Sequence, residues 1–464
     1  KGNVVRTVEY TEPRAGNDVV LALDLELQRN TELALAEQLE TARGRFTGSS
    51  GYAQGRAGSA VAMDPRSGAV LAMASYPTYD PSEFVNGISQ QRWDELRSGD
   101  AMDNPLVNRA IAGLYEPGST FKLVTAYGAL KTGMITGEEI WGDGGEYTLP
   151  GCTGACTFSN AGGHAYGAID LPDSLQVSSN TFYYRLGFQF SAEADVYGDG
   201  LQSAAREFGY GAPTGIDLPG EASGVVPDAA WKQRLWESLP PDQQALGDPT
   251  WYPGDSVNLA IGQGEMLATP LQITNSYAAF AGRGAVRQPF VVWKVLEPGT
   301  PLVREPATAT AEDVDDDDRG EGSDGTDSGG AGTTTTSEAG GNAGKTTTPP
   351  STPTIPRSTA QAHGDRHHDA EADTEADPDW LALAPRVDLS DAVVVREAEP
   401  RVNYTFDLPQ PVFAPIHDGL LNVTRVGYVH KGTAYDAFEG FDTDAFPLLS
   451  KPGTSTKRGR TDTA

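Results

Sequence analysis

The sequence predicts an α/β protein in which an antiparallel sheet carries helices on both sides. Three observations predict it. Residues 59–63 and 69–73 are short apolar runs flanking Asp64-Pro65-Arg66-Ser67-Gly68, a hairpin signal of two strands around a turn. Helix-length segments with clear end signals recur at 25–39, 119–131 and 270–281. An apolar strand-like run, 19–23, leads directly into the first of them.

Taken in order, Asp24 is a suitable N-cap for the run 25–39, where Leu25, Leu33, Leu35 and Leu39 fall near a helical period. A Gly-rich loop follows at 48–58, then the hairpin, whose small residues suit strands covered by helices. Pro117-Gly118 breaks the chain before the 119–131 segment, Ser119 is placed to cap it, and Gly133 follows its end. A further helix is expected around 172–187, and Thr269-Pro270 opens one at 270–281.

The chain has 464 residues, enough for two or three domains, and a formal charge of −30, which disfavours nucleic acid and anionic lipid as partners. No apolar run reaches the length of a membrane helix. From 305 to 379 the composition turns to Asp, Gly, Ser, Thr and Pro. Such a tract buries too little apolar area to offset chain entropy and is expected to be a disordered insertion. His363, His367 and His368 lie within it beside Asp365 and Asp369 and read as part of a solvated linker.

Three segments carry chemistry. Ser119-Thr120-Phe121-Lys122 puts a hydroxyl and an amine about one helical turn apart. A serine needs a base to become a nucleophile, and a lysine can serve if burial or a neighbouring cation lowers its proton affinity. Ser178-Ser179-Asn180 supplies a hydroxyl and an amide, and Lys451-Pro452-Gly453-Thr454 a cation, a glycine and a hydroxyl. Each alone has an ordinary reading: a capped helix start, a polar stretch, a Pro-Gly turn. The three in this order match the motif set of penicillin-binding proteins and β-lactamases.

The flanks extend the match. Glu116-Pro117-Gly118-Ser119-Thr120-Phe121-Lys122 resembles the nucleophile motif of class B penicillin-binding proteins. So do Asp80-Pro81 with Phe84-Val85-Asn86-Gly87, Asn108-Arg109-Ala110, Phe208-Gly209-Tyr210-Gly211, Thr214-Gly215-Ile216-Asp217-Leu218 and Ile261-Gly262-Gln263-Gly264. Residues 251–269 look most like the elongation type. The resemblance spans 1–300 and 385–464 and skips the acidic tract.

It implies the serine penicillin-recognising transpeptidase fold, of the DD-peptidase/β-lactamase type, and a peptidoglycan DD-transpeptidase. Its domains would be a pedestal remnant at 1–16, a transpeptidase part at 17–304, the insertion, and a second part at 380–464 that stops before the family's last strands and helix. Ser119 would attack D-Ala-D-Ala, Lys122 take its proton, Ser178 pass a proton to the leaving amine, and Asn180 orient Lys122 and substrate. Lys451 and Thr454 would hold the substrate carboxylate, with Gly453 allowing close approach. No cofactor is implied. The implied partners are peptide stems, β-lactams and a membrane glycosyltransferase of the wall-elongation machinery. The implied location is extracytoplasmic, on a membrane anchor preceding Lys1.

Pro452 departs from the usual Thr or Ser and removes a hydroxyl and a backbone N–H beside the site. A serine β-lactamase, or a non-catalytic β-lactam sensor or wall scaffold, shares these motifs. Cys152 and Cys156 are open to a disulfide or to free thiols; elongation-type relatives can carry zinc in this region, which makes Asp143, Cys156 and His164 metal candidates. Tyr115 either walls the cleft or packs under the helix start.

Overall fold

The structure, a computed structural model, describes residues 12, 14–45, 53–85, 87–98, 104–154, 156–245, 247–298, 303–304, 387–388 and 392–423. The acidic tract, its histidines, and the Lys451–Thr454 motif with Pro452 lie outside the described residues. So does nearly all of the expected pedestal remnant. Two units partition the chain: Lys1–Leu302 with Leu389–Ala464, and Val303–Asp388. Of the second, one antiparallel ladder is described, Val303–Arg304 with Val387–Asp388.

In the first unit, strand Val292–Leu296 is paired antiparallel with Asp18–Leu21 on one edge and Val394–Glu397 on the other. The expected hairpin forms from Gly58–Met63 and Val70–Tyr76, with Val61 opposite Met73. Its turn is tied by Asp64, whose carboxylate accepts from the Arg66 N–H at 2.9 Å and the Ser67 hydroxyl at 2.7 Å. A bridge between Ala69 and Phe290 joins the hairpin to the chain entering Val292–Leu296.

Helix Leu25–Ala42 begins where expected, with the Asp24 side chain accepting from the Leu27 N–H at 2.8 Å. It docks on the hairpin through Gln28, whose amide both accepts from and donates to the Met73 backbone, at 2.7 and 3.0 Å. Only part of its leucine repeat turns inward: Leu35 and Leu39 lie against Gly58, while Leu25 and Leu33 are exposed among the described residues. On Pro270–Ala281 a reciprocal capping box of Thr269 and Gln272 closes the first turn.

Helix Lys122–Lys131 sits at the centre, with residues 122 to 129 all buried. A helix buried on every side needs partners all round. They come from Leu171–Gln176, Asn180–Ala192, Gly200–Glu207 and Gln410–Asn422. Tyr127 meets Phe208 and Phe406 edge-on, with ring centroids 5.1 and 5.2 Å apart.

Two local expectations are corrected. Ser119 does not cap the helix expected at 119–131. It lies inside a tight turn, Gly118–Phe121, and the α-helix starts at Lys122 without a side-chain cap. The single helix expected around 172–187 is two, Leu171–Gln176 and Asn180–Ala192. Asp170 caps the first and Ser179 the second, and Ser178 between them has φ +55°. A left-handed residue cannot continue a right-handed helix.

Candidate active site

Ser119 and Lys122 are nearly inaccessible, at 4% and 0% exposure. The turn that carries Ser119 is held by the strip at 260–268. Gly118 N–H donates to the Gly262 carbonyl at 2.8 Å, Thr125 Oγ1 to Ala260 at 2.8 Å, and Tyr115 and Ala268 exchange backbone bonds at 3.0 and 2.8 Å. Tyr277 Oη donates to the Thr120 carbonyl at 3.1 Å. Tyr115 is thus paired through its backbone beside that turn, and its half-buried ring lies over Gly113. Burial pushes its phenol upward.

Gly262 is irreplaceable for a stated reason. Its φ is +69°, and a Cβ there would run into the Gly118 carbonyl and the Phe121 side chain. Gly262→Ala is expected to cost about 1–3 kcal/mol through backbone strain, and the neighbour it obstructs is the turn that carries Ser119. Gly254 has open space around its Cβ position. Gly254→Ala should leave stability nearly unchanged, so paired unfolding midpoints check the contrast.

The structure brings two of the three sequence motifs together. Lys122 Nζ donates to the Ser178 carbonyl at 2.8 Å, to Ser178 Oγ at 3.2 Å and to Asn180 Oδ1 at 2.7 Å. It also lies 5.3 Å from the centre of the Tyr183 ring. The positive φ of Ser178 lets one residue offer both its carbonyl and its hydroxyl to the same amine. The arrangement can hold a proton at Nζ, one helical turn from Ser119 and in contact with a second hydroxyl. The third motif is not among the described residues.

Behind Asn180 lies a cluster the motifs do not contain. Asn160 Oδ1 accepts from the N–H groups of Asn180 and Thr181 at 2.7 and 3.0 Å. Its Nδ2 donates to the Asp143 carboxylate at 2.9 and 3.0 Å and to the His164 carbonyl at 2.8 Å. Asp143 also accepts from Ser179 Oγ at 2.6 Å and from the Gly145 N–H at 2.8 Å. Burial pushes its carboxyl up, but the hydrogen bonds from Ser179, Asn160 and Gly145 outweigh it and hold the group below the usual aspartate range. That stabilisation is complete above the ordinary range and is lost as pH falls through the depressed value.

Cys152 and Cys156 are joined as a disulfide. Asp143, Cys156 and His164 are therefore not assembled as a ligand set, and no cluster of three His, Cys, Asp or Glu suited to a metal occurs among the described residues. Asn160 was not legible as a site residue. An Asn in a Gly-rich loop reads as turn chemistry, and its partners Asp143, Asn180 and Thr181 lie about twenty residues away on either side.

Residues 58–346 match the penicillin binding protein transpeptidase domain. The chain belongs to that family. The fold is accordingly the penicillin-binding transpeptidase fold, mixed helices and antiparallel sheets. The peptidoglycan D,D-transpeptidase MrdA of Escherichia coli K12 is 35% identical over 299 residues, covering 64% of this chain and 41% of that protein. The D,D-transpeptidase PbpA of Mycobacterium tuberculosis is 31% identical over 250 residues, covering 52% and 44%. The chain thus spans less than half the length of either. Among solved structures, a peptidoglycan synthase complex described as coordinating polymerization and crosslinking aligns with TM-score 0.52 at 33% identity, over 62% of this chain and 45% of the other.

Proposed function

We propose that this penicillin-binding family member is a serine D,D-transpeptidase of the elongation type that crosslinks peptidoglycan stems. The observation that carries the reading is the buried Lys122 amine, shared by Ser178 and Asn180 one turn from Ser119.

In the reaction, Ser119 Oγ attacks the carbonyl of the penultimate D-Ala and its proton passes to Lys122. The tetrahedral oxyanion is met by the N–H groups of Ser119 and Thr454. The peptide C–N bond breaks as Ser178 relays a proton to the departing D-Ala amine, leaving an ester on Ser119. Lys451 and Thr454 hold the terminal carboxylate of the donor stem. The amine of a second stem then attacks the ester, and Ser119 recovers its proton. No cofactor is required for this chemistry. β-Lactams acylate Ser119 by presenting the same carbonyl and carboxylate.

The solved peptidoglycan synthase complex supports a place in the wall-synthesis machinery, and the reading puts the chain beside a membrane glycosyltransferase, outside the cytoplasmic membrane on an N-terminal anchor. No helix among the described residues is long and apolar enough to cross a membrane.

Fluorescent penicillin tests the reading. Stoichiometric labelling with an acyl-enzyme that persists for hours is expected. Rapid hydrolysis of the ester would make the protein a β-lactamase, and absence of labelling a scaffold or sensor without a working nucleophile. The proline at 452 supplies a graded test. A charge-assisted hydrogen bond to the carboxylate is worth about 1.5–3 kcal/mol, so Pro452→Thr should speed β-lactam acylation by roughly 10- to 150-fold. An equal or slower rate at equal stability would show that the site is tuned around proline.

A further inference from the structure

The pair Asp143–Asn160 supplies the start of helix Asn180–Ala192 with an acceptor that its own N-cap residue does not provide. The start of helix Asn180–Ala192 leaves N–H groups without helical partners. Ser179 satisfies the usual one, accepting from the Phe182 N–H at 3.1 Å. The N–H groups of Asn180 and Thr181 are taken instead by Asn160. Asn160 has no freedom to turn, because its other face is committed to the Asp143 carboxylate. That carboxylate also holds Ser179. All three side chains are buried: Asp143 at 4%, Asn160 at 3% and Ser179 at 0% exposure.

The consequence falls on Lys122. Asn180 is gripped through its backbone by Asn160, and its side-chain carbonyl meets Lys122 Nζ at 2.7 Å. Ser178 sits on the other side of Ser179 in a left-handed conformation that a non-glycine residue keeps only where its surroundings impose it. The cluster therefore holds Asn180 and, through Ser179, the backbone next to Ser178, two residues that meet the amine.

We propose that Asp143 and Asn160 are positioning residues for the reaction at Ser119: they set where Ser178 and Asn180 meet Lys122. This rests on the transpeptidase reading. A shift of about 1 Å in such a group can cost on the order of 10²-fold in rate.

The test separates non-covalent β-lactam binding from the acylation rate constant in the intact protein. Asp143→Asn replaces one of the two oxygens facing the Asn160 amide with an NH₂, and Asn160→Asp sets two carboxylates face to face. Each is expected to slow acylation by roughly 10²-fold while binding and the fraction of labelled sites stay close to those of the unaltered protein. Combining the two substitutions restores one donor against one acceptor and should recover about tenfold or more of the loss. Such recovery is what a merely structural role would not give to the rate alone. Ser179→Ala withdraws one donor from Asp143 and carries the same test in a milder form, should a charged or amide exchange fail to fold.

Acylation at the unaltered rate in the folded single variants overturns the assignment. So does a loss that tracks only the fraction of unfolded protein, with the combined variant regaining stability and not rate. Absence of labelling in the unaltered protein is a different result, which removes the transpeptidase reading itself.

Discussion

Ser119→Ala is expected to abolish covalent labelling by fluorescent penicillin while the protein stays folded. Removing the nucleophile of a serine acyl-transfer site costs on the order of 10⁶-fold in rate, which puts residual labelling below detection. The substitution deletes one buried hydroxyl and leaves Gly118, Phe121 and the backbone bond to Gly262 in place, so the unfolding midpoint should move little. The neighbouring hydroxyl cannot take over. Thr120 Oγ1 donates to the Pro117 carbonyl at 2.7 Å and is committed to its own turn. Ser178 is the other hydroxyl near the amine. Retained labelling at normal stoichiometry would remove Ser119 from the nucleophile role, and mapping the labelled peptide would show whether Ser178 carries the ester instead.

What was legible in the sequence was what is encoded locally. The hairpin was readable because Asp64 ties its own turn within three residues. Helix Leu25–Ala42 was readable at its start because Asp24 caps it, and Pro270–Ala281 because Thr269 and Gln272 cap each other. The break between Leu171–Gln176 and Asn180–Ala192 was not readable. Its residues form no Gly or Pro signal, and the left-handed turn at Ser178 is held by groups distant in the chain: Lys122, Asn160 and Asp143. The same holds for the site. Ser119, Lys122, Ser178 and Asn180 were found as motif members, whereas Asn160 has meaning only once two loops meet. The role of Ser119 in its own helix was misread for a related reason. A Ser after Pro-Gly looks like a cap, but the turn is held by Gly262, and the α-helix begins three residues later, at Lys122.

Lys122 carries the second large expectation. Lys122→Met replaces the amine with an apolar group of similar length, so no proton can be taken from Ser119. Loss of a general base removes about 10²–10⁴ of rate. Stability should fall as well, because Asn180 Oδ1 and the Ser178 carbonyl lose the donor they share. A buried acceptor left unmet costs about 1–3 kcal/mol. Lys122→Arg separates the two effects. A guanidinium keeps the positive charge and offers donors to the same oxygens, but it does not give up its proton in proteins. The Arg variant should therefore hold the 178–180 segment better than the Met variant, with a higher unfolding midpoint, and acylate no faster. Stopped-flow acylation rates beside unfolding midpoints check both halves. If Lys122→Arg acylates near the unaltered rate, the amine acts through its charge alone, and the proton of Ser119 must leave by another group, with Ser178 the first to examine.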